Sequence, residues 1–133
     1  MTDIPSWQRR LDQLAALPDG WDPDIESPSL SSEVLEAARD LMQSKELAPF
    51  QSPAIFATEG GGLSIEWMNS DGLAVIGILP AGGYELTAVQ RENSQTMSGE
   101  TTDAMWARVL IASILGAMNS QDESASAMPQ AGD

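Results

Sequence analysis

Carboxylates are the one plentiful ionisable group in this chain of 133 residues, so any chemistry must be looked for among 20 Asp and Glu side chains. There is no histidine and no cysteine, one lysine (Lys45) and one tyrosine (Tyr84). Those absences remove imidazole bases and ligands, thiolate nucleophiles, Ser-His-Asp arrangements and disulfides. Two acids held about 5–10 Å apart across a cleft can cleave a glycosidic bond. Glu66 and Glu85 are the pair that could share one sheet face. Asp19, Asp22, Asp24 and Glu26 fall close together and suggest calcium. A calcium loop, however, wants oxygens at alternate positions, a central Gly and a terminal Glu. The spacing here differs, and Pro23 stiffens the middle. Gly60-Gly61-Gly62 leads into an apolar alternating run and carries no lysine, which reads as a hairpin turn rather than a phosphate cradle. The expectation is therefore no catalytic residue, no cofactor and no metal, in a protein that is not an enzyme.

Charge narrows the partners. Six basic residues against the 20 acids leave a formal charge of −14. Such a surface repels nucleic-acid phosphates and anionic lipid and favours a partner with a basic surface. No stretch approaches the roughly 20 apolar residues that span a bilayer. Met1-Thr2-Asp3-Ile4-Pro5 lacks the basic start and apolar run of a signal peptide, so the expected compartment is the cytoplasm.

The elements that must position these groups follow from periodicity. Ile4, Trp7, Leu11 and Leu14 recur at helical spacing, which predicts a helix over 5–17 with Ser6 near its cap. A Pro- and Asp-rich loop follows, with Trp21 tucked under the helices. A second helix begins among Pro28 to Ser32 and runs to about Ser44, with Val34, Leu35, Ala38, Leu41 and Met42 as its stripe. The period then changes to two. Strands are predicted over 54–58, 63–68, 73–79 and 84–90, joined by short turns, and 91–101 reads as a polar loop. Thr102 caps a third helix from Asp103 to about Asn119. The fold expected is α+β, with two N-terminal helices, a four-stranded antiparallel β-meander and a C-terminal helix packed on the sheet. Residues 1–121 form one domain, and 122–133 a small, polar, disordered tail.

Two surfaces in this arrangement invite a partner. On the third helix, Trp106, Leu110, Ile114 and Met118, with Met105, Val109, Ile111 and Leu115, sweep most of the circumference. A helix apolar nearly all round is buried on several sides. It lies either between the sheet and the first two helices or against a second copy, making a homodimer. On the sheet, Ile65 and Trp67 pointing inward would send Glu66 and Met68 outward, with Ile76, Ile78, Glu85 and Val89 beside them. That gives an apolar stripe edged by carboxylates, either covered by the N-terminal helices, which need somewhere to pack, or left open for docking.

Leu14 and Leu17-Pro18-Asp19-Gly20-Trp21-Asp22, then Pro28, Pro53-Ala54-Ile55 and Thr58-Glu59-Gly60-Gly61-Gly62-Leu63 with Glu66-Trp67, carry a resemblance over residues 11–90. The segment resembles a loosely defined group of small bacterial proteins found on phages, integrated elements and other mobile DNA. The resemblance implies no catalytic residue; it implies a protein that binds and neutralises another, such as an antitoxin, an immunity protein or an inhibitor of host defence. The expected function is a non-catalytic acidic module that modulates a partner protein, for instance by blocking a basic nucleic-acid-binding surface. Its contacts would be Glu66, Glu85, Ile76 and Ile78 on the sheet and Asp22, Asp24 and Glu26 on the loop. The alternatives are a dimeric secretion-chaperone-like protein, a phage structural or assembly protein, and an enzyme built on carboxylates alone.

Overall fold

Local signals account for where the helices begin. Residues 4–92 and 95–131 are described by a computed structural model, with side chains described as far as Met118. Helix α1 (Ser6–Ala15) starts one residue after Pro5, whose carbonyl accepts the amides of Gln8 and Arg9 at 3.0 and 3.2 Å. Ser6, expected near the cap, is its first residue. Helix α2 (Ser32–Gln43) opens on Ser31, whose hydroxyl accepts the Val34 amide at 3.2 Å. This satisfies one of the amides that a helix start leaves without a partner. Trp7, Leu11 and Leu14 of α1 and Val34, Ala38, Leu41 and Met42 of α2 are buried, each set on one stripe.

The sheet has five antiparallel strands in chain order: β1 (Ala54–Ala57), β2 (Leu63–Met68), β3 (Gly72–Ile78), β4 (Tyr84–Gln90) and β5 (Gln95–Thr101). Four of them match the expected meander, and the fifth occupies part of the stretch read as a loop. Gln-Thr-Met-Ser-Gly-Glu-Thr has few β-branched residues and no clean alternation, because β5 is exposed over most of its length and buries little. Its backbone ladder to β4 makes it a strand, and composition does not report a ladder. The turn between β1 and β2 is the glycine run, with Gly60 and Gly61 at φ +81° and +94° and the Thr58 amide donating to the Gly62 carbonyl at 3.0 Å.

All three helices pack on one face of this sheet. In the β2–β3 ladder Leu63 faces Ile78, Ile65 faces Ile76 and Trp67 faces Ala74. These residues, with Ile55 and Leu86, are buried in one core with the helix stripes. The expectation that Ile76 and Ile78 look outward is overturned: they are 0% and 3% exposed, on the core side. The N-terminal helices accordingly leave the opposite face uncovered. Directly paired residues share a face, so a one-residue error in register reverses every side chain of a strand. Strand β3 is apolar on both faces, and its sequence could not choose between them.

Helix α3 (Ala104–Ala131) is capped by Asp103, whose carboxylate accepts the Trp106 amide at 3.1 Å, and not by Thr102. Its helical backbone runs past the expected stop at Asn119, across a stretch rich in Ser, Ala, Gln and Glu that offers no breaker before Pro129. It packs on β3, β4, β5 and the 3-10 turn Lys45–Leu47. Only Ala107, Ile111 and Leu115 among its described side chains are buried, so α3 is not enclosed between the sheet and the other helices. No helix among the described residues is long and apolar enough to cross a membrane.

Candidate functional site

The uncovered sheet face brings together part of the expected set. Strand pairing places Glu66, Val75, Thr87 and Ser98 in one row across β2 to β5. The neighbouring row is Ser64, Gly77, Glu85 and Glu100, and a third holds Met68, Leu73, Val89 and Thr96. Leu73, Val75 and Val89 are half-buried, and Phe56 and Met68 are exposed. The stripe of apolar residues edged by carboxylates is therefore present, built from Leu73, Val75 and Val89 in place of Ile76 and Ile78. Glu66 and Glu85 lie two strands and two residues apart, about 12 Å between Cα atoms from strand geometry.

The charge on this face has one sign. None of the five strands contains a Lys or Arg. Glu85 and Glu100, both exposed, stand directly opposite each other in the β4–β5 ladder. Like charges so placed weaken a sheet. Glu100 lies outside the expected set because the composition of 91–101 indicates a loop; the signal for it lies only in its pairing with Glu85.

The acidic loop is a self-bonded unit docked against the sheet. The buried Ser27 hydroxyl donates to the Asp22 carbonyl at 2.8 Å and accepts the Asp22 amide at 3.0 Å. Asp22 accepts the Asp24 amide on its carboxylate at 3.0 Å. Asp19 accepts the Ser29 amide at 2.7 Å, and this bond, with one to the Ser29 hydroxyl, lowers the Asp19 carboxyl below its ordinary 3.8. Trp21 is half-buried, with its indole N–H shielded. The Gly60 amide donates to the Glu26 carbonyl at 2.7 Å, so the loop that carries Asp22, Asp24 and Glu26 sits beside the β1–β2 turn. Asp24 and Glu26 are exposed there, next to Glu59. Among the described residues no three carboxylates converge as a metal site would require.

The α3 residues line a separate groove. Trp106, Leu110 and Ile114 face Leu86, Ala88 and Met97 across an open cleft between α3 and the β4–β5 hairpin, and Met118 continues it. Trp106 and Met97 are 55% and 59% exposed. Arg108, on the other side of the helix, is held by Glu46 at 3.4 Å, an ion pair without hydrogen-bond alignment. The structure thus gathers the four proposed dimer residues into one surface, and adds Met97, which the missing fifth strand had concealed. No family model, curated protein or solved structure matches this chain.

Proposed function

We propose that this protein is a non-catalytic acidic binding module that docks a partner protein on the uncovered face of its sheet. One observation carries the reading. The Glu85–Glu100 pair, with Glu66 nearby and no basic residue on any strand, borders an apolar stripe that no helix covers. A like-charge pair across a ladder costs stability in the free protein, and a partner's Lys or Arg set between the two carboxylates would relieve it. Leu73, Val75 and Val89 supply apolar area, while the carboxylates supply steering and register more than raw affinity. Asp24 and Glu26 extend the acidic rim at the β1–β2 end. The partner implied has a basic working surface with apolar groups among the bases, which suits an antitoxin, immunity or anti-defence inhibitor that blocks a nucleic-acid-binding site. The resemblance of residues 11–90 to small proteins of mobile DNA supports the same class.

Affinity capture from the native host, with wild-type and Glu85→Lys baits compared, tests this. The substitution turns a like pair into an opposite one, so the fold is expected to hold or gain roughly 0.5 kcal/mol. The wild type should retain a basic protein that elutes as salt is raised, and the variant should lose it. Equal capture by both baits, or capture of nothing, would sink the reading.

A further inference from the structure

The two edges of the sheet are treated differently. Strand β1 is a short edge of four residues, preceded by Pro53, and the Arg10 guanidinium donates to its Ile55 carbonyl at 2.8 Å. Brevity, proline and a side-chain cover are the usual means of stopping an edge from adding another strand. Strand β5 is neither short nor marked by proline. It is seven residues long, contains neither Pro nor Lys, and among the described residues has β4 on one side and no strand on the other. Beside it runs the α3 groove, where Trp106 and Met97 stay more than half exposed.

Charge shows what kind of molecule this edge can meet. From Gln95 to Met118 the only charged residues are Glu100, Asp103 and Arg108, a net of −1 in a chain whose total is −14. A partner chosen for basic charge would find little to hold here. A second copy, repelled over most of its acidic surface, finds its one nearly neutral apolar side.

We propose that this side pairs with itself: β5 joins β5 of a second copy in an antiparallel ladder, and the two α3 grooves close over the junction. Full overlap of Gln95–Thr101 with its symmetry mate puts the two-fold axis at Ser98. In that register Met97 faces Gly99 of the copy, a large side chain opposite none, and Glu100 faces Thr96, so the carboxylates are not opposed. The two-fold makes the contact isologous and closed, so it stops at two chains. Trp106, Leu110 and Ile114 then cover the pair of Met97 side chains. The sheet becomes continuous across both copies, with Glu66, Glu85 and Glu100 of each on the same outer side. Because the groove and the outer face are different surfaces, a failure of self-pairing would leave the docking of a basic partner standing.

The chain's lack of cysteine permits a direct test. In the proposed register the two Ser98 Cα atoms lie about 4.5–5.5 Å apart, within disulfide reach. The two Thr96 residues are separated by about 14 Å along the strands, beyond it. Under mild oxidation Ser98→Cys should cross-link to a dimer. Thr96→Cys alone should not, and a mixture of Thr96→Cys with Glu100→Cys should. Sedimentation equilibrium of the wild type should give twice the chain mass of 14.2 kDa. Trp106→Glu, at an exposed position, should give the single mass with unchanged far-UV circular dichroism. A wild type that sediments as one chain at all micromolar concentrations would overturn the proposal and leave the groove to an amphipathic helix or an apolar ligand. So would a dimer that survives Trp106→Glu and does not cross-link through position 98.

Discussion

Asp19 shows how a single carboxylate can be committed to structure within a surface crowded with acids. Its oxygen holds the Ser29 amide at 2.7 Å, tying the start of the acidic loop to its end. That bond favours the ionised form, so the carboxyl titrates below 3.8 in the folded chain. A depressed folded value means that the contribution to stability is complete well above 3.8, the ordinary value, and is lost as the pH falls through the lower one. Asp19→Asn keeps the acceptor oxygen and removes the charge. The gap in urea midpoint between wild type and Asp19→Asn should be open at neutral pH and close from about pH 4 downward. A gap that stays constant to pH 2 would show that the charge plays no part. Comparing the two proteins removes the background effect of neutralising the other acids.

At the scale of elements, β3 is where the direction of side chains matters most. Ile76 is wholly buried opposite Ile65 and Leu86, while Val75 is half-buried on the outer face between Glu66 and Thr87. Ile76→Ala should cost about 3–4 kcal/mol, the lost transfer of three carbons plus the cavity they leave. Val75→Ala should cost less than about 1 kcal/mol, since nothing packs over it in the free chain. Urea unfolding at equal m-value measures both. Costs in the reverse order would mean that the strand faces the other way and that the open face has been assigned to the wrong residues. The same comparison made on the bound complex would show Val75 gaining importance if the outer face is the docking surface.

The molecule as a whole carries its charge unevenly, and this has a measurable consequence. The acids of the loop, α2 and the outer sheet face repel one another in the folded chain, with few bases interspersed; Arg39–Asp12 is an exposed pair at 3.9 Å that adds little. Raising NaCl from low to about 0.5 M shortens the screening length to a few ångströms and should raise stability by about 1 kcal/mol, roughly 3–5 °C in Tm. A Tm that falls with NaCl would mean that attractive pairs outweigh repulsion. The nearly neutral side at β5 and α3 should respond little to salt, so the dimer should persist where a complex with a basic partner dissociates.

Much of the architecture was legible in the residues. Trp7, Leu11 and Leu14, and Val34, Ala38, Leu41 and Met42, report their helices because a buried helix stripe must recur at 3.6 residues. The turn at Gly60-Gly61 and a serine-capped helix start among Pro28 to Ser32 are local chemistry that the residues show, and the packing selects Ser31 as the cap. The absence of His and Cys, the single Lys and the −14 charge limit the available chemistry in any fold. Three things were settled only by tertiary structure. β5 exists because β4 offers a ladder, which leaves no mark on a strand that buries almost nothing. Ile76 and Ile78 face inward because pairing with β2 fixes register, and a strand apolar on both faces is silent about register. α3 leaves Trp106, Leu110 and Ile114 on an open groove because the first two helices pack elsewhere on the same side of the sheet. Apolarity all round a helix states that more than one neighbour is wanted, and only the packing shows which side is still without one.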